Sequence, residues 1–244
     1  MISHHNSEVW DLLNVGKNFF DSKIRNIATK RIAEILGLEN IVINCQMATL
    51  EIAENPETDG CLSDDARGID FFEFRKKLRN KNVLPSFIND LYNLEVLDCI
   101  CTQTDRCPWN YSIITTQSGT PKHLVGYDND LSFGIYDDCS SFPLWGSSPL
   151  VNHEGQINRP HIDKNLANKI LSLTDEQIED NLFDILEPKY IKSTKNRVNQ
   201  IKRAIQKSTK IKQNFLVDNW EEVTTQQTRK PARTYLSVFR EKLK

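Results

Sequence analysis

The sequence lacks most of the features that single out a special environment. Lys and Arg total 31 against 33 Asp and Glu, a formal net charge of -2. No global field therefore steers the chain to nucleic acid or to a membrane surface, and any such attraction must come from a local patch. No apolar run approaches the roughly 20 residues that a bilayer-spanning helix requires. The N-terminal stretch MISHHNSEVWDLLN has neither a basic start nor a long apolar run. No secretory leader is expected, so a cytoplasmic setting is the default; a non-cleaved secretion signal, as bacterial effectors carry, leaves no such trace. The cysteines at 45, 61, 99, 101, 107 and 139 include no CxxC pair, and the five histidines complete no zinc pattern. That argues against a disulfide framework and a zinc site and for reduced, mostly buried thiols. Internal repeats and low-complexity tracts are missing too.

What is present is an ordinary globular composition. The 244 residues are 39% hydrophobic and 26% charged, enough for one large domain or two lobes with a real core. Residues 22–36 (SKIRNIATKRIAEIL) place Ile24, Ile27, Ala28, Ile32, Ile35 and Leu36 near one helical face, and Gly37 suits the stop. Residues 41–53 are β-branched and apolar and read as a strand; 55–60 (NPETDG) read as a loop, and a short extended piece starts at 61–62. Helices follow over 70–80, with Asp70 as N-cap, and over 86–101. Further helices are expected over 163–173, over 175–186 behind a Thr174/Gln177 capping box, and over about 189–208 behind Pro188. The order predicts an α+β fold, with a sheet-bearing N-terminal lobe and a helical C-terminal lobe.

Between the helices lies TDRCPWNYSIITTQSGTPKHLVGYDNDLSFG, residues 104–134. YSIITTQ and KHLVGY are rich in β-formers, and SGTP between them is a turn signal. Folding about Gly119 sets Tyr111 opposite Tyr127 and brings the hairpin's entrance beside its exit. Asp105 and Asn110 stand at the entrance and Asp128 at the exit. Clustered carboxylates repel unless a cation neutralises them. Mg²⁺ takes a few protein oxygens and completes its shell with water and phosphate. Asn110 and Asp128 suit that metal on a nucleotide, with Asp105 orienting an attacking hydroxyl and accepting its proton.

These residues also carry a resemblance. TDRCPWN resembles the catalytic loop of atypical kinases, usually Asp-Arg-His-x-x-Asn, and GYDNDLSFG resembles their metal-binding segment. The likeness is to the branch of phosphatidylinositol-kinase-like, actin-fragmin-kinase-like and HipA-like proteins, with the bacterial effector kinases built on that plan. RNIATKRIAEILGLENIV is similar to the family's αC helix and following strand, DGCLSDDARGIDFF to its hinge strand and Ala-x-Gly turn, and HIDKNLANKILSL and the helix containing Arg197 to its C-lobe helices. The resemblance spans roughly residues 22–206.

It implies a bilobal protein kinase-like fold: a reduced N-lobe with hinge over 1–64, a helical C-lobe with the catalytic hairpin over 65–210, and a basic tail over 211–244. It implies ATP and Mg²⁺ as cofactors, Asp105 as the catalytic aspartate, Asn110 and Asp128 as metal ligands, and Asp130 as an alternative ligand. Hinge backbone around Cys61, Leu62, Ser63 and Asp64 would meet the adenine. Lys17 in NVGKNFF is the candidate phosphate-binding lysine, with Lys23 the fallback. The sequence departs from the pattern at Cys107, where the family has His, and at Asn26, where αC has Glu; no GxGxxG precedes αC. A protein substrate is favoured over a lipid, nucleic acid is not expected as a partner, and the basic helix after Pro188 could meet acidic lipid or inositol phosphate. Two alternatives stay open: a kinase-like binding module without catalysis, and a kinase-fold nucleotidyltransferase. The apolar groups of TRKPARTYLSVFREKLK either dock on the lobe or bind a partner.

Overall fold

The computed structural model describes residues 19–52, 55–77, 82–141, 144, 146–223 and 233–243. The chain runs α1 (Phe19–Leu36), β1 (Cys45–Ile52), β2 (Asn55–Ser63), α2 (Phe71–Lys77), α3 (Pro85–Cys101), β3 (Tyr111–Thr115), β4 (Pro121–Gly126), β5 (Ile162–Asp163), α4 (Lys164–Ser172), α5 (Asp175–Leu182), α6 (Pro188–Lys210), β6 (Leu216–Val217), α7 (Trp220–Val223) and α8 (Tyr235–Lys242). The α+β reading holds, with two small antiparallel hairpins, a short parallel β5–β6 pair, and helices elsewhere.

Helix α1 buries Ile27, Ala28, Ile32, Ala33 and Leu36. It stops at Gly37, whose φ of 68° lets Gly37 N–H reach Glu34 O at 2.9 Å and Leu38 N–H reach Ala33 O at 2.7 Å. That paired closure needs a left-handed residue after the last helical one. Residues 55–60 are not the loop expected from NPETDG. They belong to β2, paired from Ile52↔Asn55 to Cys45↔Ser63. In a two-stranded sheet each strand has a free edge, so Pro56 costs no ladder bond that a central strand would require.

Helix α3 is the axis of the molecule. From Phe87 to Cys101 nearly every residue is buried, including Leu91, Leu94, Leu97 and Ile100. A helix covered on all sides normally carries no charge. Here Glu95 and Asp98 are both buried, one turn apart, and each is matched by an arginine from elsewhere: Arg159 to Glu95 and Arg106 to Asp98, both at 3.0 Å. Its C-terminus ends at Thr102, with φ 53°, which turns the chain into the loop before β3.

The β3–β4 hairpin forms, but one residue out of the expected register. Tyr111 pairs with Gly126, not Tyr127, because the turn is centred on Ser118 and not on Gly119, with Thr116 N–H donating to Thr120 O at 2.9 Å; the ladder then shifts by one residue between Thr115↔Pro121 and Ile114↔His123. The extra residue, Lys122, is a bulge. Two bridges clamp this hairpin: Val42 runs parallel to Gly126, and Ile69 lies antiparallel to Ile113. Gly68 makes the second possible. Its φ is 108°, and a Cβ there would lie 2.6 Å from the Ile113 carbonyl oxygen. The Ala66–Gly68 turn after β2 is therefore a site where two backbones touch.

The C-terminal segment docks on the core. The Phe239 ring meets Phe71, Phe74 and Phe87 at centroid distances of 5.8, 6.0 and 5.0 Å. The Tyr235 hydroxyl donates to Asp98 at 3.0 Å.

Candidate active site

The loop from Asp105 to Asn110 is wound tightly. Cys107 N–H donates to Asp105 O at 2.8 Å and Asn110 N–H to Cys107 O at 2.9 Å. The Asn110 side chain turns back, its Nδ2 donating to Asp105 O at 2.6 Å and to Asp105 Oδ2 at 3.3 Å. Its Oδ1 is thereby left to accept or to ligate. On the other side of the hairpin Tyr127 N–H donates to Asn110 O at 3.0 Å. Asp128 follows with φ 59°, a left-handed conformation that Asp tolerates better than most residues. Buried Gln103 joins the two sides: its Oε1 accepts from Asp105 N–H at 3.1 Å, and its Nε2 donates to Asp128 O at 2.7 Å.

Arg106 fixes the arrangement. It is fully buried and holds Asp98 through both ends of its fork, at 3.0 and 3.1 Å. It also donates to Asn110 O at 2.8 Å, to Tyr127 O at 2.5 Å and to Asn129 Oδ1. One guanidinium thus ties the entrance of the hairpin, its exit and the central helix together. Helix α1 adds a second hold. Asn26 Oδ1 accepts from Asn129 N–H at 2.8 Å, and Arg25 donates to Ser132 O. Asn26, read from the sequence as a missing ion-pair partner, here holds the backbone of the segment after Asp128.

The electrostatics show how close the carboxylates lie. Burial, then repulsion from Asp128, pushes Asp130 up to about 7, with Asp105 adding to it. Asp105 is also raised, first by burial, opposed by its Asn110 hydrogen bond and reinforced by Asp128. Hydrogen bonds through Asn110 and Gln103 hold Asp105, Asn110 and the Asp128 backbone together at one end of the hairpin, and Asp130 follows two residues on. Among the described residues, no group of three or more His, Cys, Asp and Glu side chains could hold a metal ion unaided. The donor set fits a different design: one or two carboxylates and an amide oxygen, with phosphate and water completing the shell, as Mg²⁺ favours on a nucleotide.

Asp128 also lines a cleft of about 520 Å³, bounded by Asn26, Ile43, Cys45, Cys61, Ser63, Asp64, Asp65, Ala66 and Tyr127. That volume lies within the range of small-molecule and cofactor sites. Cys61, Ser63 and Asp64 thus line the same cleft as Asp128. Leu62, between them in β2, points outward and is exposed, as strand alternation requires. Lys17 lies outside the described residues. Lys23 is in α1, and its charge lowers the Cys61 thiol pKa against the larger effect of burial, which puts that cation near the cleft wall. Cys107 is buried and its thiol is pushed up to about 12, chiefly by burial and then by Asp105; Arg106 offsets this only slightly. It packs the loop and is no activated thiol.

Sequence reading overlooked Gln103 and the clamp made by Arg106. A glutamine just past a helix end carries no signal in a single sequence. A buried Arg can be found only by locating its carboxylate, and Asp98 sits in a helix eight residues earlier.

The basic helix α6 spends much of its charge on the protein itself. Lys195 pairs with Glu179, Lys202 donates to Leu173 O and Lys207 to Glu154 O. Among the described residues, no helix is long and apolar enough to cross a membrane.

No family model matches the chain, and no curated protein matches it in sequence. Among solved structures it is similar to the Helicobacter pylori proinflammatory kinase CtkA, with a TM-score of 0.50, at 12% identity, over 78% of this chain and 82% of that one. The fold is kinase-like. At that identity the likeness bears on the fold alone, and the chemistry has to be argued from the site.

Proposed function

We propose that this protein is a phosphotransferase that uses ATP and Mg²⁺ and acts on a protein hydroxyl. The observation that carries the reading is the meeting of Asp105, Asn110 and Asp128 at the end of one hairpin, with Asp128 facing the 520 Å³ cleft below the β2 wall. Asn110 Oδ1 and the Asp128 carboxylate would hold Mg²⁺, with Asp130 the alternative ligand. Bound MgATP supplies the phosphoryl group and the positive charge that neutralises these carboxylates.

The protein's part is positioning and proton transfer. Asp105 accepts the proton of the attacking hydroxyl, and its raised pKa suits a base better than a fully solvated Asp would. Asn110 orients Asp105 through its Nδ2. Arg106 and Gln103 keep the Asp105 and Asp128 segments at a fixed separation, the preorganisation that such transfer depends on. The backbone of Cys61 to Asp64 is proposed to meet the adenine, and Lys17 or Lys23 the phosphates. The kinase-like fold is compatible with this use of the cleft. A lipid or inositol phosphate at α6 is the weaker idea, because three of its lysines are already engaged.

Asn26 in the place of an αC glutamate favours a second reading, a kinase-like module that binds partners without transferring phosphate. Incubation with γ-labelled ATP and Mg²⁺, beside Asp128→Ala, separates the two. Label on protein that disappears in the variant supports phosphotransfer. Label that persists unchanged in the variant, or none under any condition, refutes it. Intact-mass measurement of the product distinguishes phosphate from a nucleotidyl group.

A further inference from the structure

Beside the proposed base lies an aromatic surface that catalysis does not use. Trp109 sits within the loop between Asp105 and Asn110, yet its side chain is 39% exposed; Phe72 of α2 is 55% exposed, although its neighbours Phe71 and Phe74 are buried. The two rings stack at 5.7 Å with an interplanar angle of 15°. Large aromatics that meet in solvent keep a flat apolar face available, and such patches mark contact sites more often than scattered exposed residues do. The stack is tied to the cleft, because Tyr127, which lines it, donates its hydroxyl to Trp109 O at 2.8 Å.

The charge next to the stack has a definite sign. Residues three and four positions past Phe72 share its helix face, and these are Arg75 and Lys76, both exposed. The one acidic residue within the helix, Glu73, pairs with Lys77. Asp70, which caps the start of the helix by accepting from Glu73 N–H at 2.8 Å, keeps its charge one turn away from Arg75 and Lys76. Along α2 the surface therefore reads aromatic and then basic.

We infer that the Phe72–Trp109 stack with Arg75 and Lys76 docks an acidic segment of the protein substrate that carries an apolar or aromatic side chain. This rests on the phosphotransferase reading, since it places that segment a few residues from a hydroxyl at Asp105. A single-stranded nucleic acid could also stack on such rings. Its continuous phosphates, however, would run beside Asp105, Asp128 and Asp130, where repulsion disfavours them. An acidic peptide needs negative charge only at Arg75 and Lys76.

The test is fluorescence anisotropy with two labelled peptides, one setting a Ser and a Phe among Glu residues and one replacing every Glu by Lys. Each is titrated with the full chain, with Arg75→Glu/Lys76→Glu, and with Phe72→Ala. The wild type should prefer the acidic peptide. Charge reversal should weaken its binding by about tenfold and strengthen the lysine peptide, and Phe72→Ala should weaken both by about threefold to tenfold. All three side chains are exposed, so far-UV dichroism should show both variants folded. No acidic preference in the wild type, or a preference untouched by charge reversal, overturns the inference. So does tighter binding of a single-stranded oligonucleotide, or self-association in sedimentation that the same reversal abolishes. If the preference holds but neither peptide gains phosphate from MgATP, the docking surface stands and the phosphotransferase reading fails.

Discussion

Arg106 offers the sharpest test of how the site is held. Arg106→Met removes the partner of Asp98, both fully buried, and leaves the carboxylate with the Tyr235 hydroxyl among its observed hydrogen bonds. Leaving one member of a buried pair uncompensated costs about 3–5 kcal/mol, a large share of the roughly 5–15 kcal/mol that holds a domain folded. Asp98→Leu should cost less, because Arg106 keeps Asn110 O, Tyr127 O and Asn129 Oδ1. The double variant should be more stable than the sum of the single losses implies, by about 0.5–3 kcal/mol. Urea denaturation measures this, with unchanged m-values confirming that the same transition is compared. Nucleotide affinity supplies a second readout. The double variant regains stability but not the three loop contacts, so its affinity for MgATP should stay as low as that of Arg106→Met. Strict additivity, or a cost below about 1 kcal/mol for Arg106→Met, would refute the buried clamp.

Further outcomes are specific. Phe239→Ala empties the ring site between Phe71, Phe74 and Phe87 and should cost about 3–5 kcal/mol in urea melts; a loss under about 1 kcal/mol would mean that α8 does not dock as described. Gly68→Ala forces a side chain into φ 108° and onto Ile113 O, and should lower stability by about 1–3 kcal/mol; a neutral result would remove the bridge from the account. Burial lowers the pKa of His161 below 6.5, so the unfolded chain binds a proton there that the folded chain refuses. Stability should therefore fall as pH drops below about 6.5, and His161→Phe should flatten that part of the profile. Identical pH slopes in the two proteins would contradict this.

Six of the described helices were legible from apolar spacing and recognisable stops or starts, such as Gly37 closing α1, Asp70 opening α2 and the Thr174–Gln177 box opening α5; α7 and α8 were not expected. β2 was not, because Asn55, Pro56 and Gly60 are turn residues that a two-stranded ribbon tolerates. The hairpin's existence followed from its β-formers and SGTP. Its register did not, since equal arms about Gly119 were assumed, whereas the turn is centred on Ser118 and the bulge at Lys122 makes up only part of the difference. At the site, antiparallel pairing alone suggested that Asp105, Asn110 and Asp128 would meet. The supports were hidden for a physical reason: Arg106, Gln103 and Asn26 act through backbone carbonyls and amides, and a carbonyl has no signature in a sequence. Of the two fates open to the C-terminal apolar residues, docking on the core is the one observed.

The proposed chemistry requires a magnesium-bound nucleotide in the cleft against Asp128. Thermal unfolding with ATP, with and without Mg²⁺, in the wild type and in Asp128→Ala, tests it most directly. A ligand at 100 times its Kd adds about 2.7 kcal/mol of stability, so the melting temperature should rise with ATP and Mg²⁺ together and should stay near its unliganded value in Asp128→Ala. Equal stabilisation without the metal, or the full shift retained in Asp128→Ala, would contradict the account.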